Sequence, residues 1–168
     1  LEPMNCTAHA KADGSVEVWA PTQRPDMGAN GAFSLIQAAL GVPKEKITIH
    51  MIRCGGGFGR RLDNDYAVEA AAISKQAGNI PVKLIWTREE DMTHGRYHPI
   101  TQCKMTAGVD AQGNVTALHM RISGQSILAS VFPQNIRDGK HPVVFQGLNH
   151  GGGEAMLGYS VPTLLIDH

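Results

Sequence analysis

Apolar and polar positions alternate with period two near both ends of the chain and fall into helical spacing in two stretches between. Residues 6–20 read as a hairpin. Cys6, Ala8 and Ala10 alternate with polar neighbours, Asp13-Gly14 turns the chain, and Val16, Val18 and Ala20 return on one face. Over 24–40, Ala29, Ala32, Phe33, Ile36 and Leu40 recur at helical spacing, with Pro25 suited to the first turn and Gly41 and Pro43 ending the helix. Gly28 and Gly31 each weaken that helix by about 1 kcal/mol relative to Ala, which calls for a packing reason. Residues 47–52 alternate as a strand, and 65–77 form a helix with a small face of Ala67, Ala70, Ala71, Ala72 and Ala77. Residues 82–86 read as a strand. Thr87 and Glu90 mark the capped start of a helical turn, so the acids Glu89, Glu90 and Asp91 read as a solvated helix start. Residues 101–109 and 115–122 pair as a long hairpin around 110–114, and 163–168 read as a last strand. Residues 124–160 carry little pattern, and Gly151-Gly152-Gly153-Glu154 within them reads as a flexible insertion. The order ββαβαβββ predicts an α+β fold. It is a single two-layer domain over 1–168, with helices packed on a mixed or antiparallel sheet.

Composition narrows the function classes. A chain of 168 residues with 42% hydrophobic and 18% charged residues can bury a core. Its net charge of zero argues against nucleic acid or an anionic membrane surface as partner. No apolar run approaches the length of a transmembrane segment. Three widely spaced cysteines without a Cys-x-x-Cys make neither a disulfide framework nor a zinc site. Cys6-Thr7-Ala8-His9 reads as ordinary strand residues, because two groups do not make a metal site. The chain starts at Leu1, and we expect it to be a piece of a longer polypeptide.

The chemistry concentrates in Cys54-Gly55-Gly56-Gly57-Phe58-Gly59-Arg60-Arg61, a glycine loop between a strand and a helix whose entry is marked by Asp63, Asn64 and Asp65. Glycine admits φ > 0 and lets a ligand approach main-chain N–H groups. A helix N-terminus adds unpaired donors, and Arg60 and Arg61 add forked cations suited to phosphate. The loop is neither a P-loop nor a dinucleotide fingerprint, since no Gly-Lys-Ser/Thr follows and Arg60 stands where the last glycine belongs. Locally it reads equally as an anion cradle or as a tight turn. Gln23, at the junction Thr22-Gln23-Arg24-Pro25, reads by itself as a solvated loop amide. His94, Arg96, Tyr97 and His98 read as an exposed polar loop.

Leu1-Glu2-Pro3-Met4, Thr22-Gln23 and Gly55-Gly56-Gly57-Phe58-Gly59, with their spacing, resemble the molybdenum-cofactor-binding large subunit of the xanthine dehydrogenase/aldehyde oxidase (molybdenum hydroxylase) family. Arg60-Arg61, Asp65-Tyr66 and residues 87–92 resemble the branch of the isoquinoline 1-oxidoreductase β subunit and bacterial aldehyde dehydrogenases. The resemblance covers residues 1–124 well and 125–168 weakly. It implies a fragment of a molybdopterin-binding subunit, with the cofactor in its cytosine dinucleotide form. It also implies an iron–sulfur small subunit carrying the clusters, a cytochrome c subunit, and an aldehyde or N-heterocycle substrate hydroxylated with oxygen from water. It assigns Gln23 to an oxygen on molybdenum, the Phe58 and Gly59 amides to the metal oxygen and the pterin dithiolene, Gly56 and Gly57 to the close approach, and Arg60 to cofactor phosphate. The family's base glutamate and substrate-orienting arginine belong to segments beyond this chain, so no catalytic residue is expected here and the piece alone is expected to be inactive. Two other readings stay open: a non-catalytic phosphate or nucleotide module using Arg60 and Arg61, and an interaction domain with glycine-rich turns.

Overall fold

The computed structural model describes residues 2–139, 141 and 158–168. Where the sequence reading expects one domain, chain packing divides into two compact units, residues 1–96 and 97–168.

The first unit is a two-layer α+β fold. Its strands are β1 (Asn5–Ala10), β2 (Val16–Ala20), β3 (Ile47–Met51) and β4 (Val82–Ile85), arranged in the sheet order β3-β2-β1-β4. β1 runs antiparallel to β2 and β4, whereas β2 runs parallel to β3. The parallel pair requires a crossover, which α1 (Ala32–Leu40) supplies. Period-two alternation puts Cys6, Ala8, Ala10, Val16, Val18 and Ala20 on the inner face. α2 (Asp65–Gln76) lays Tyr66, Ala67, Ala70 and Ala71 against that face, all fully buried. With alanines on both surfaces the layers sit close, so the core gains from tight contact more than from large apolar area. At the far end of α2, Ser74 Oγ accepts from Ala10 N at 2.9 Å and donates to the Ile80 carbonyl, tying the helix to the end of β1 and to the turn that leads into β4. α3 (Arg88–His94) starts as predicted, with Thr87 Oγ1 accepting from Glu90 N at 3.1 Å.

The helix expected over 24–40 begins only at Ala32. Gly28 takes φ +57, and a Cβ on Gly31 would meet Met27 N and lie 2.8 Å from the Pro25 carbonyl oxygen. Residues 25–31 therefore curl into turns that need both glycines, which is the packing reason their helical cost required. The predicted stop is there: Gly41 is left-handed at φ 69, and its N–H bonds the Gln37 carbonyl.

The second unit pairs β5 (Thr101–Val109) antiparallel with β6 (Val115–Gly124), and β6 parallel with β7 (Thr163–Asp167). The hairpin turn is held by Asp110 Oδ1, which accepts from Gln112 N and Asn114 N. β7 is fixed to β6 by Asp167, whose carboxylate accepts from Arg121 and stands 3.3 Å from His119 Nε2. The Arg121 guanidinium holds the Asp167 carboxyl down at about 2. The sequence reading missed α4 (Ile127–Val131), a short helix capped by Ser126 Oγ on Ala129 N. Residues 151–154 lie outside the described residues.

Candidate functional site

The glycine loop leaves β3 at Met51 and reaches α2 through a single 3₁₀ turn at Arg60–Leu62. Its backbone is left-handed at Gly56 (φ 106) and again at the consecutive pair Phe58 (φ 50) and Gly59 (φ 80), with Gly57 between at ordinary φ. The change of hand between Gly57 and its neighbours is the backbone signature of concavities lined by N–H groups. For a bulky aromatic residue, φ > 0 is uncommon and costs on the order of 1–3 kcal/mol. The Phe58 ring occupies the place where a Cβ on Gly56 would stand, yet it is 63% exposed. Strain is thus spent on an exposed aromatic, which core packing does not explain.

Gln23 enters from the other side, on the connection between β2 and α1. Its backbone N–H donates to the Arg61 carbonyl at 3.0 Å, and its Oε1 accepts from Gly59 N at 2.9 Å. A Cβ on Gly57 would lie 2.5 Å from both Cγ and Oε1 of Gln23. Glycine at 57 is therefore what lets the glutamine lie against the loop. The sequence alone suggests a ligand in that space; the glutamine fills it. Because Gly59 N donates, the side-chain atom it meets must be the oxygen, so the Gln23 –NH₂ group is turned away from it.

The two arginines are not displayed. Arg60 makes a forked pair with Asp65, at 3.0 Å to Oδ1 and 2.9 Å to Oδ2, and lies 5.4 Å from the Trp86 ring. Arg61 is fully buried, donates to Glu2 Oε1 at 2.8 Å and to the Pro21 and Pro3 carbonyls, and stacks near Tyr66. Burial pushes the Tyr66 phenol up to about 12, so it stays neutral. Both guanidinium groups are spent on holding the loop's base, and the phosphate-module reading loses the cations it relies on. Asp65 likewise serves Arg60, and Asp63 accepts from Arg96 Nε at 3.0 Å.

The structure thus brings Gln23, Gly57 and Gly59 together, with Gly56 and Phe58 in the same wall and Arg60 behind it. Cys6 and His9 do not meet. Cys6 faces the core, where burial pushes its thiol up to about 12, and His9 turns its ring to the Asn79 carbonyl on the opposite face. Sequence reading also missed the buried partners of this wall. Thr22 Oγ1 donates to Asn64 Oδ1 at 2.7 Å, although Asn64 reads as a helix cap.

A family model described as the molybdopterin cofactor-binding domain matches residues 1–130. The chain belongs to that family. The isoquinoline 1-oxidoreductase subunit beta of Brevundimonas diminuta is 34% identical over 171 residues, covering 99% of this chain and 20% of its own length. The membrane-bound aldehyde dehydrogenase (pyrroloquinoline-quinone) of Gluconacetobacter polyoxogenes is 34% identical over 143 residues, with 83% and 18% covered. The xanthine dehydrogenase of Emericella nidulans is 36% identical over 123 residues, with 70% and 8% covered. The chain therefore spans a fifth or less of the length of these relatives. Among solved structures, quinoline 2-oxidoreductase from Pseudomonas putida 86 superposes with a TM-score of 0.52 at 22% identity, over 72% of this chain and 15% of that one. That likeness bears on the fold, an α+β arrangement shared with this molybdopterin-domain chain.

Proposed function

We propose that this chain forms the glycine-loop wall of the cofactor site in a molybdenum hydroxylase large subunit. The substrate is an aldehyde or an N-heterocycle, and water supplies the oxygen. The observation that carries this reading is the Gly59 N–H bond to Gln23 Oε1 at 2.9 Å. It joins two segments 36 residues apart in one polar wall, and it fixes the amide with its donors turned away from Gly59 N. An amide locked this way is a preorganised donor for an oxygen on a metal, which is the chemistry the wall fits. The left-handed residues 56, 58 and 59 supply the concavity beside it, and the exposed Phe58 ring supplies an apolar surface for the pterin or the substrate. Gly59 N is spent on Gln23, so the Gln23 amide delivers the donor that the Gly59 amide was expected to deliver.

When bound, the molybdenum centre supplies Lewis acidity and a two-electron sink for hydroxylation. This chain's residues bind and orient. Arg60 acts through the loop, because its guanidinium is held by Asp65. None of the proposed wall residues is a base, so proton abstraction falls to groups outside the wall, and in this reading the 168-residue chain by itself turns nothing over. The cofactor is the cytosine dinucleotide form of molybdopterin. An iron–sulfur subunit and a cytochrome c subunit would be the chain's partners and would supply the electron acceptors. Metal analysis of the full polypeptide made with cofactor supply tests the reading. One molybdenum per chain, falling sharply in Gln23→Ala, is expected, and a metal-free wild type overturns it.

A further inference from the structure

Asn64 occupies the N-cap position of α2, yet its side chain makes no cap bond. Asparagine at that position ordinarily satisfies an orphan N–H of the first turn. Here the fully buried side chain does something else. Its Nδ2 donates to the Leu62 carbonyl at 3.1 Å, and its Oδ1 accepts from Thr22 Oγ1 at 2.7 Å. Thr22 is itself only 3% exposed. Its hydroxyl oxygen accepts in turn from Arg24 N at 3.2 Å. Residue 23 is therefore bracketed. The hydroxyl before it grips the amide after it and reaches across to the entry of α2, while its own N–H is held by the Arg61 carbonyl. Gln23 is exposed, and the reach of an exposed side chain is set by where its backbone is anchored. A cap residue that breaks the local rule to serve a distant segment marks a place where function overrides propensity.

We infer that Thr22 and Asn64 are positioning residues for Gln23: a buried hydroxyl–amide pair that sets how far the glutamine amide reaches over the glycine loop. The inference rests on the molybdenum reading of the wall for its consequence and on the bonds just described for its geometry. Removing the hydroxyl leaves Asn64 Oδ1 buried without its donor and lets the Thr22–Arg24 segment shift, so Gly59 N loses its fixed acceptor.

Two readouts separate the inference from the reading it rests on. The first needs no metal: hydrogen exchange of the peptide spanning 55–61 in the full polypeptide. Thr22→Val should speed exchange at the Gly59 amide about five- to tenfold, the worth of one such bond, and Thr22→Ser should restore protection. The second is the rate at which bound molybdenum is lost on incubation. Thr22→Val should raise it by a similar factor in wild type and leave it unchanged in a Gln23→Ala background, because residues acting through one side chain are not additive. If Thr22→Val does not fold, Thr22→Ala carries the same expectations. Unchanged exchange at Gly59, or an equal effect of Thr22→Val with and without Gln23, overturns the inference. Faster exchange in a protein that holds no molybdenum upholds the positioning and overturns only the metal reading.

Discussion

Gly57→Ala separates packing for stability from packing for function. The added methyl would stand 2.5 Å from Gln23 Cγ and Oε1, so the glutamine must swing off the loop. The backbone itself is not strained, because Gly57 is not among the positive-φ glycines. The lost Gly59–Gln23 bond, at an exposed site, costs about 1 kcal/mol, and the reduced freedom of the unfolded chain returns about 0.4–1 kcal/mol. The two nearly cancel, and the thermal midpoint of the full polypeptide should move by no more than about 3 °C. Metal retention should suffer far more, by about ten- to hundredfold, as when a residue that orients a metal's surroundings is displaced. Gly59→Ala provides the contrast. Nothing lies within 4 Å of its added methyl, but φ is +80, so it costs about 1–2 kcal/mol of backbone strain while leaving the Gln23 contact in place. Metal analysis and thermal unfolding, run on both variants in the full polypeptide, should rank them in opposite orders. If Gly57→Ala keeps wild-type molybdenum, or if loss of metal simply follows loss of stability across the pair, the role given to Gly57 is wrong.

Arg61→Ala should destabilise by about 2–4 kcal/mol, read by chemical denaturation. It removes a fully buried cation bonded to Glu2, Pro3 and Pro21, although Glu2 is exposed enough to be solvated afterwards. In the 168-residue chain, a thiol reagent at pH 8 should modify Cys54 and Cys103, both exposed, at once. Cys6 should react only on unfolding, since burial keeps its thiol protonated up to about 12. Asp167 has its folded-state value depressed to about 2, so its contribution is fully present above about pH 4 and is lost as pH falls from there toward 2. Acid unfolding of Asp167→Asn should lack that part of the pH dependence, and an unchanged acid limb would contradict the Arg121 pairing.

Most of the regular elements are legible because they are written in local terms; α4 (Ile127–Val131) is the exception, too short to show a periodicity. The β1–β2 hairpin announced itself by alternation around Asp13-Gly14, the stop of α1 by Gly41, and the start of α3 by Thr87 and Glu90. The start of α1 was not, because helical spacing through 24–31 gives no sign that Gly31 packs on the Pro25 carbonyl. The glycine loop was visible as a place for close approach, but not what approaches it. That depends on Gln23, 36 residues away, and no periodicity connects them. Arg60 and Arg61 read as displayed cations from sequence. Their inward turn follows from Asp65 and Glu2, whose pairing only the fold creates. Asn64 looks like a cap in the sequence for the same reason: its partner Thr22 lies on another connection. Local chemistry thus fixed the scaffold, while the wall's geometry came from contacts between segments distant in sequence.

The direct test is an experimental structure of the full polypeptide loaded with its cofactor. Gln23 Nε2 should stand about 3 Å from an oxygen on molybdenum while Oε1 keeps its bond to Gly59 N. A metal centre remote from residues 56–59, or a Gln23 amide bonded instead to another protein segment, would contradict the role given to this wall.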